Sequence, residues 1–556
     1  MVVGNPKKID LSTSSFERMI ERGNLYVDKT RIIENFIEEA SSVQLITRQR
    51  RLGKSLNMDT IRCFLTDKVD NRHLFKGLYI EQSHVWKYVN SSPVFYFNFK
   101  GLNVKTYRER VHRMIRLYIE NYCQTSINKN VEQYLSSKNF DDTDGFYYLT
   151  EAVYETTGKR SYLLIDEYDK MLMDNYKTDK YEEIRQYETL LFSAGFKDNP
   201  YLEKALITGV MRISRESLFS GLNNIKVFDI FSDRTYTDNY GLTEEEIDEL
   251  QEFFDFDKAT LKTWYNGIMV NGKPIYNTYS TMSFLDENKY KCFWAMSGIM
   301  DTIAELINEN RRKILTKLLN GEKICMSIEE RISLMDLLHE AGDEDFYSLI
   351  VQAGYLSAEQ AAGETVSETI RAIMSIPNIE LMLAWKHFIL KRVFRVSSSH
   401  VRSVFENSDN LPLFAKDLER IITDRLSHHD LGSLKGEDRK KVPEILYHVF
   451  LLGLLCADGN TQQKYPLSNR ESGDGRFDIF IERADGNFIF ELKSSEKADN
   501  LEKDALSALE QITAKRYGAE NSTKRLVKVG IAFVGKNCKI SCDDKPANLP
   551  SITTIA

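Results

Sequence analysis

The sequence lacks the features that mark secreted, zinc-bound and membrane-spanning proteins. Its seven cysteines are scattered, none forms a Cys-x-x-Cys pair, and Cys538 and Cys542 have no histidine close by. A disulfide framework or a zinc site is therefore not expected, and a reducing compartment suits the chain. The first residues lack the apolar core of a signal peptide, and the longest apolar run, 449–456, is far too short to span a bilayer. We expect a cytoplasmic protein with no membrane segment.

Basic charge is not in excess either. With 74 Lys and Arg against 82 Asp and Glu, the formal net charge is −8. The composition as a whole therefore gives no indication of nucleic-acid binding, and any such contact must use a local basic patch. A chain of 556 residues is too long for a single hydrophobic core, so we expect more than one domain.

One glycine is missing from a phosphate-loop motif. Residues 47–57 are TRQRRLGKSLN, and they lie between an apolar run and a helix-like segment. In the pattern G-x-x-x-x-G-K-[ST], Gly53, Lys54 and Ser55 fill the last three positions, but Arg48 stands where the first glycine belongs. Lys54 would reach the β- and γ-phosphates of a nucleotide, and Ser55 would offer a hydroxyl to Mg²⁺. On spacing alone, a helix N-terminus that carries a lysine is the alternative.

The complementary half of such a site follows an apolar strand at 162–165. Asp166 and Glu167 come at the end of this strand, where ligands collect in parallel sheets. Asp166 would hold Mg²⁺, and Glu167 would polarise the attacking water. The alternative is a buried strand that ends in a solvated acidic turn.

Further candidates lie at the end of the next strand. Thr208 would sense the γ-phosphate, unless it is an ordinary strand-end threonine. Arg212 and Arg215 would neutralise transition-state charge, in cis or from a neighbouring subunit, and the second case requires a homo-oligomer. A solvated basic turn is the alternative for these two arginines.

Apolar runs alternate with helical stretches in the N-terminal part. Strands are predicted at 43–46, 93–99, 161–165, 204–210 and 225–231, with helices at about 105–124 and 145–157. Runs that are continuously hydrophobic and separated by helices indicate a parallel sheet covered on both faces. Thr243 and Glu246 form a capping box at a helix start. Residues 300–435 are predicted to be mostly helical.

The C-terminal part contains a hairpin, GRFDIFIERADGNFIFELKSS. Asp485-Gly486 predicts a two-residue turn, which places Asp478 opposite Lys493. Because side chains alternate faces with a period of two, one face is apolar and the other gathers Asp478, Glu491 and Lys493. The apolar face comprises Phe477, Ile479, Ile481, Phe488, Phe490 and Leu492.

Two carboxylates beside a lysine suit metal-dependent phosphodiester cleavage. Asp478 and Glu491 would hold Mg²⁺, and Lys493 would position the attacking water or stabilise charge on the scissile phosphate. The alternative is an exposed strand face with a weak cross-strand ion pair. Glu444 on the preceding predicted helix would add a metal ligand, and Gln511 and Lys515 share a face of the following helix. A charged helix face is the alternative for these supporting residues.

Several stretches carry a resemblance to a known family. They are YVDKT (26–30), RQRRLGKSLN (48–57), LLIDEYD (163–169), ITGVMRISRESLFSGLNN (207–224), YGLTEEE (240–246), WYNG (264–267), the YN at 276–277, and GRFDIFIE…FELK (475–493). With these motifs the chain resembles the bacterial family of AAA-ATPase-like proteins with a PD-(D/E)XK nuclease-type tail. The family's loop is similar to R-x-R-R-x-G-K-[ST], so Arg48 becomes an expected feature. Arg48, Arg50 and Arg51 then become candidates for contacting phosphates.

The resemblance implies an α/β fold in three parts: a P-loop NTPase domain with a parallel sheet, a helical lid region, and a restriction-endonuclease-like domain. It implies nucleotide-site roles for Lys54, Ser55, Asp166 and Glu167. It implies nuclease roles for Asp478, Glu491 and Lys493, with Glu444 and Gln511 in support. Domain boundaries are predicted at 1–235, 236–375, 376–435 and 436–556, the third range being a helical connector. Similar genes in mobile elements make a role in genome conflict an additional hypothesis.

The main hypothesis is therefore a cytoplasmic protein that binds ATP and Mg²⁺, and that couples ATP binding or hydrolysis to cleavage of nucleic acid, with DNA favoured. An alternative is a nucleotide switch whose nuclease-like tail binds but does not cleave. A third is a signalling ATPase whose tail recognises a nucleic-acid or protein partner.

Overall fold

A computed structural model gives the fold of most of the chain. It describes residues 1–123, 131–132, 134, 142–212, 222, 224–293, 303, 305–319, 321–330, 342–361, 369–388, 403–425, 451, 464–472, 475–483, 486–495, 497–515, 525–535 and 537–544. None of the helices in these ranges combines the length and apolarity needed to cross a bilayer.

The strands are β1 (Val2–Val3), β2 (Tyr26–Val27), β3 (Val43–Thr47), β4 (Val94–Asn98), β5 (Ser161–Asp166), β6 (Leu202–Gly209), β7 (Ile225–Phe228), β8 (Ile268–Val270), β9 (Lys273–Ile275), β10 (Ile324–Glu329), β11 (Ser357–Gln360), β12 (Thr369–Ser375), β13 (Lys464–Ser472), β14 (Gly475–Glu482), β15 (Asn487–Ser494), β16 (Leu526–Val534) and β17 (Asn537–Asp543). The α-helices are α1 (Phe16–Glu21), α2 (Arg31–Glu38), α3 (Lys54–Leu65), α4 (Tyr107–Tyr122), α5 (Gly145–Thr157), α6 (Lys170–Asn175), α7 (Tyr181–Phe196), α8 (Glu244–Gln251), α9 (Lys258–Tyr265), α10 (Thr278–Glu287), α11 (Glu309–Leu319), α12 (Asp343–Gln352), α13 (Ile379–Phe388), α14 (Leu411–Arg425) and α15 (Leu501–Ala514). Short 3₁₀ turns cover Arg72–Phe75, Tyr79–Gln82, His84–Tyr88, Val104–Thr106, Asp142–Asp144 and Ala498–Asn500.

The chain forms two compact units. The first comprises Met1–Trp294 and Lys323–Leu381, and the second comprises Ala295–Glu322 and Met382–Ala556. The domain boundaries predicted from the sequence are finer than this division and stay predictions.

A five-stranded parallel sheet lies at the centre of the first unit, as predicted. Its order is β4-β5-β6-β3-β7, and every neighbouring pair is parallel. All five residues of β3 and all six of β5 are buried, as expected for strands covered on both faces. The phosphate-loop strand and the acidic strand are not direct neighbours, however, because β6 lies between them. The carboxyl ends of β5, β6 and β3 therefore meet at one edge.

The middle region contains more β structure than the sequence predicted. Strands β10, β12 and β11 form an antiparallel sheet within a stretch expected to be mostly helical. The missed signal is a period of two in β12, where Ile370, Ala372 and Met374 are buried and the intervening Arg371 is exposed. The capping box at α8 is confirmed, since Thr243 Oγ1 accepts from Glu246 N and Glu246 Oε2 accepts from Thr243 N.

The second unit is built on a mixed sheet of order β13-β14-β15-β16-β17. Strands β15 and β16 are parallel and are connected through α15, and the other pairs are antiparallel. One face forms the main core of this unit with α14, and alternate residues of β14 and β15 point into it. These residues include Ile479, Ile481, Phe488, Phe490 and Leu492, all predicted for the apolar face. Helix α15 packs on the other face, where Ile512 contacts Phe480 and Ile489.

The hairpin register differs from the prediction by two residues. Ile479 pairs with Phe490 and Glu482 pairs with Asn487, so the connection spans residues 483–486 instead of a two-residue turn. Continuing this register by one residue places Asp478 opposite Glu491, not opposite Lys493. Because the shift is an even number of residues, every side chain keeps its predicted face.

Candidate nucleotide and nuclease sites

The phosphate loop runs from the end of β3 to the start of α3. Its first amide, Arg48 N, donates to Gly209 O at 3.1 Å, which anchors the loop to the end of β6. The backbone then turns through positive φ values at Arg51 (69°) and Gly53 (89°). Only glycine adopts this conformation without strain, so Gly53 is suited to the position immediately before the helix. The free N–H groups of the first turn of α3 and its dipole favour an anion there.

Lys54 points back into its own loop. Its ammonium donates to Arg48 O and to Gln49 O, both at 2.8 Å, and the side chain is buried. Burial lowers the pKa of Lys54 to about 8, and the negative charge of Asp166 opposes that shift. The loop carbonyls thus hold the cation beside the position where phosphates would bind.

Asp166 is the centre of the candidate nucleotide site and is fully buried. Ser55 Oγ and Thr208 Oγ1 donate to its carboxylate at 2.6 and 2.7 Å. Tyr96 OH and Asn98 Nδ2 also donate, at 3.1 and 3.2 Å. The structure therefore brings together three predicted residues, Ser55, Asp166 and Thr208. It adds Tyr96 and Asn98, which were not predicted from the sequence. Both are alternate residues of β4, so their side chains point to the same face of the sheet.

Glu167 and Asp169 flank this centre. Glu167 has a positive φ of 56°, and its pKa is raised by burial and by neighbouring Asp166, while Lys100 and Lys54 oppose the shift. Asp169 was not predicted as a site residue. Its carboxylate accepts from Val210 N and Met211 N at 2.8 and 2.9 Å, and burial raises its pKa. Asp169 therefore fixes the chain that follows β6 against the acidic strand.

Arg48 does not occupy the position that the phosphate-contact hypothesis requires. Its side chain is fully buried and forms an ion pair with Asp233, which is equally buried. Arg48 Nη1 also donates to Thr47 O at 2.8 Å and to Phe228 O at 3.0 Å. The guanidinium thus ties the loop to the chain after β7, and its charge is neutralised within the fold.

Arg51 and Arg212 are likewise held by protein groups. Arg51 donates to Phe293 O and stacks 4.3 Å from the ring centre of Tyr279. Arg212 Nη1 lies 2.8 Å from Asp229 Oδ2 and 3.3 Å from Glu330 Oε2. Neither side chain is directed to Asp166 by these contacts. Arg215 lies outside the described residues.

The donor set at Asp166 fits a hard cation. A buried carboxylate and a serine hydroxyl 2.6 Å apart, at the start of a helix that follows a phosphate loop, are the oxygen ligands that Mg²⁺ takes beside nucleotide phosphates. Ser55 and Asp166 would therefore be the residues that hold Mg²⁺, and the metal itself stays a prediction.

The second site lies on the face of the mixed sheet that α15 covers. Asp478 Oδ2 accepts from Leu492 N at 2.7 Å, and burial raises the pKa of Asp478. Glu491 is buried and accepts a hydrogen bond from Gln511 Nε2. Lys493 Nζ donates to Ser507 Oγ at 2.7 Å. Sheet and helix therefore meet on this face, where Glu491 contacts Gln511 and Lys493 contacts Ser507.

Ser507 was not predicted, although it precedes Gln511 by one helical turn. The pair at positions i and i+4 places a partner for Lys493 and a partner for Glu491 on the same side of α15. Lys515 is exposed at the C-terminal end of the helix, four residues after Gln511 and on the same side. Glu444 lies outside the described residues. The two carboxylates of Asp478 and Glu491 on adjacent strands are a donor set that suits Mg²⁺.

The folds and the two sites define the class of protein. The first unit has the parallel sheet, phosphate loop and acidic strand end of a P-loop NTPase, and the second has the mixed sheet and Asp…Glu-x-Lys hairpin of a nuclease-like domain. Family models agree with this division. Residues 10–219 match the model described as "Predicted AAA-ATPase", and residues 442–542 match the PD-(D/E)XK nuclease superfamily. The chain therefore has an AAA-ATPase-like domain followed by a PD-(D/E)XK nuclease-like domain.

Individual relatives show how far the similarity extends. A protein of Azotobacter chroococcum mcd 1, named "Uncharacterized protein in vnfD 5'region", is 26% identical over 409 residues, which is 73% of this chain and 74% of the relative. Among solved structures, a Walker-type ATPase of Pyrococcus abyssi is 15% identical with a TM-score of 0.31, covering 68% of this chain and 97% of that one. Drosophila ORC bound to AT-rich DNA and Cdc6 is 11% identical with a TM-score of 0.17, covering 66% of this chain and 90% of that one. Scores this low do not define a common fold.

Proposed function

We propose that this protein binds ATP with Mg²⁺ in its first unit, and that its second unit cleaves nucleic acid in a Mg²⁺-dependent reaction that bound or hydrolysed ATP controls. DNA is the favoured substrate. The AAA-ATPase-like and nuclease-like domains support the two partial activities. Their coupling is inferred from their presence in one chain.

The nucleotide part of the proposal rests on the hydrogen bond between Ser55 and Asp166. This bond joins the start of α3 to the end of β5, so both oxygens face the place where a phosphate loop directs the phosphates of its nucleotide. Lys54 would exchange its two loop carbonyls for phosphate oxygens when the nucleotide enters. Glu167, whose raised pKa makes it a better proton acceptor than an ordinary carboxylate, would orient the attacking water. A bound Mg²⁺ would neutralise charge on the phosphates.

The nuclease part rests on the hairpin register, in which Ile479 pairs with Phe490. Continued by one residue, this register would bring Asp478 opposite Glu491, and the alternation of faces would put Lys493 on the same side. The two carboxylates would share a Mg²⁺ ion, which lowers the pKa of a bound water. Lys493 is two residues from Glu491 on the same strand, so its ammonium would stabilise the charge that develops on the scissile phosphate. Gln511 orients Glu491 through its hydrogen bond.

Substitution of Lys493 tests this assignment. Purified wild type, Lys493→Ala and the control Lys497→Ala are incubated with linear DNA, circular DNA and RNA, with Mg²⁺ and with or without ATP. Lys497 is an exposed lysine four residues after Lys493 in the sequence. We expect Lys493→Ala to lower the cleavage rate by at least about a hundredfold because it removes transition-state stabilisation. The control should cut at the wild-type rate, and all three proteins should bind ATP equally.

The outcomes separate the hypotheses. Cleavage by Lys493→Ala at the wild-type rate would show that the site lies elsewhere. Binding of nucleic acid without cleavage by the wild-type protein would favour the alternative, a nucleotide switch whose tail only binds.

A further inference from the structure

Three arginines stand in the phosphate loop, and the structure gives them different environments. Arg48 is buried against Asp233, and Arg51 is held by Phe293 and Tyr279. Arg50, between them, is exposed. In the described part of the chain it has neither a carboxylate partner nor a hydrogen-bond acceptor. Two of the three charges therefore serve the fold, and the third is available to a ligand.

The position of Arg50 relative to Lys54 decides which ligand group it would meet. Lys54 Nζ lies 2.8 Å from Gln49 O, the carbonyl of the peptide bond that joins Gln49 to Arg50. The Arg50 side chain therefore begins beside the ammonium that a phosphate loop directs to the β- and γ-phosphates. Burial is the main cause of the lowered pKa of Lys54, and the positive charge of Arg50 makes a smaller contribution in the same direction.

Lys54 and Arg50 are neighbouring cations, and Arg50 has no carboxylate partner in the described part of the chain. Such a pair favours binding of a ligand with several negative charges. The Asp166 carboxylate is already engaged by four donors, from Ser55, Thr208, Tyr96 and Asn98. A guanidinium presents parallel N–H donors that match two phosphate oxygens, whereas an ammonium acts as a point charge.

We propose that Arg50 binds the β- and γ-phosphate end of the nucleoside triphosphate, beside Lys54. This inference rests on the proposed nucleotide site and adds a residue to it. Arg48 and Arg51, which were equal candidates on sequence, shape the loop, and Arg50 supplies its second phosphate contact. The site would then distinguish a triphosphate from a monophosphate more strongly than Lys54 alone allows.

Binding of ATP, ADP and AMP to the full-length protein tests the proposal, by calorimetry with Mg²⁺ present. The variants are Arg50→Ala, Arg50→Lys, Lys54→Ala and Arg113→Ala, the last being an exposed arginine on helix α4 that serves as the matched control. We expect Arg50→Ala to weaken ATP binding by about tenfold to a hundredfold, as for a lost charge-assisted contact, and to leave AMP binding unchanged. Arg50→Lys should retain part of the ATP affinity, and Arg113→Ala should retain all of it.

Failure of the Arg50 inference and failure of the proposed nucleotide site would give different results. If Arg50→Ala binds ATP like the wild type while Lys54→Ala does not, the Arg50 inference is wrong and the nucleotide site stands. Equal loss of ATP and AMP affinity in Arg50→Ala would also overturn it, because a distorted loop would affect both. If the wild-type protein binds none of the three nucleotides, the proposed nucleotide site itself is wrong. Thermal unfolding serves as the stability control. We expect Arg50→Ala to unfold at the same temperature as the wild type, because the exposed side chain does not stabilise the fold.

Discussion

At the scale of single residues, Glu188 is a carboxyl group enclosed by the core of the first unit. It lies on α7 with no exposed surface, and Tyr107 OH donates to its Oε1 at 2.6 Å. Within the described structure Oε2 has no hydrogen-bond partner. Burial raises the pKa of Glu188 to about 8, and the proximity of Asp169 adds to the shift. The group therefore keeps its proton at neutral pH, since an unpaired charge in this position would be strongly unfavourable.

Stability should consequently depend on pH through Glu188. In the folded protein the pKa is about 8, above the ordinary 4.5, so the stabilisation from the retained proton is complete below pH 4.5 and is lost as the pH rises through 8. Glu188→Gln keeps the acceptor for Tyr107 but has no proton to lose. We expect wild type to lose stability relative to this variant by about 1.4 kcal/mol per pH unit between the two pKa values. Urea unfolding of both proteins across this range measures the difference. A constant difference would contradict the prediction.

Arg48 shows where a residue's role could not be predicted from sequence. The motif located the loop, Gly53, Lys54 and Ser55, because their roles follow from local backbone geometry. The partner of Arg48 is Asp233, 185 residues later in the chain. Nothing in the local pattern indicates that this distant acid is buried beside the loop, so exposure and burial of the three arginines had to come from the structure.

At the scale of elements, the hairpin shows what patterning does and does not determine. The alternation of apolar and polar residues predicted both faces of β14 and β15, and burial confirms the apolar face. The Asp-Gly pair suggested a tight turn, but Arg483 N donates to Gly486 O across a longer loop. Gly486 instead permits close approach to Arg525, whose carbonyl would lie 3.1 Å from an added Cβ. Glycine signals a turn and a close contact equally well, so sequence alone could not set the register.

Gly530 tests whether α15 must lie close to the sheet for cleavage. An added Cβ would come within 2.5 Å of Leu509 N and closer still to Ala505 O, and these backbone atoms cannot rotate away. Gly530→Ala should therefore displace α15, separate Ser507 and Gln511 from the strand residues they contact, and lower the cleavage rate at least about tenfold. Cleavage assays and unfolding curves measure the effect. The control is Ser541→Ala, at the residue paired with Gly530 on β17. Full activity of Gly530→Ala would show that the helix does not position the site.

At the scale of the whole molecule, the two candidate sites belong to different compact units. An effect of nucleotide on cleavage therefore requires that ATP bind two states of the protein with different affinity, and that these states differ in nuclease activity. The sequence predicted both kinds of domain, because each has a motif with local geometry. It overestimated the helix content of the middle region, where short strands pair over long sequence separations.

Lys54→Ala tests the coupling. If bound ATP controls the nuclease, this variant should cut at the nucleotide-free rate of the wild type whether or not ATP is present. The reason is that Lys54 is proposed to bind the nucleotide and is remote in sequence from the proposed nuclease residues. Lys76→Ala, an exposed lysine of the first unit, should behave like the wild type. Cleavage rates with and without ATP provide the comparison. If ATP changed the cleavage rate of Lys54→Ala as much as that of the wild type, regulation by ATP would not depend on this loop.

The four donors around Asp166 hold its carboxylate in place before any ligand binds. They come from two strands, β4 and β6, and one helix, α3, and they fix the carboxylate while the protein folds. If Mg²⁺ binds here as proposed, it would replace one of these hydrogen bonds and would not have to immobilise a loose side chain. The conformational entropy of these side chains is lost when the protein folds, so binding does not have to offset that loss. Binding and release at the proposed site would then need only small rearrangements of hydroxyl groups, which suits the repeated nucleotide cycle that the proposed function would require.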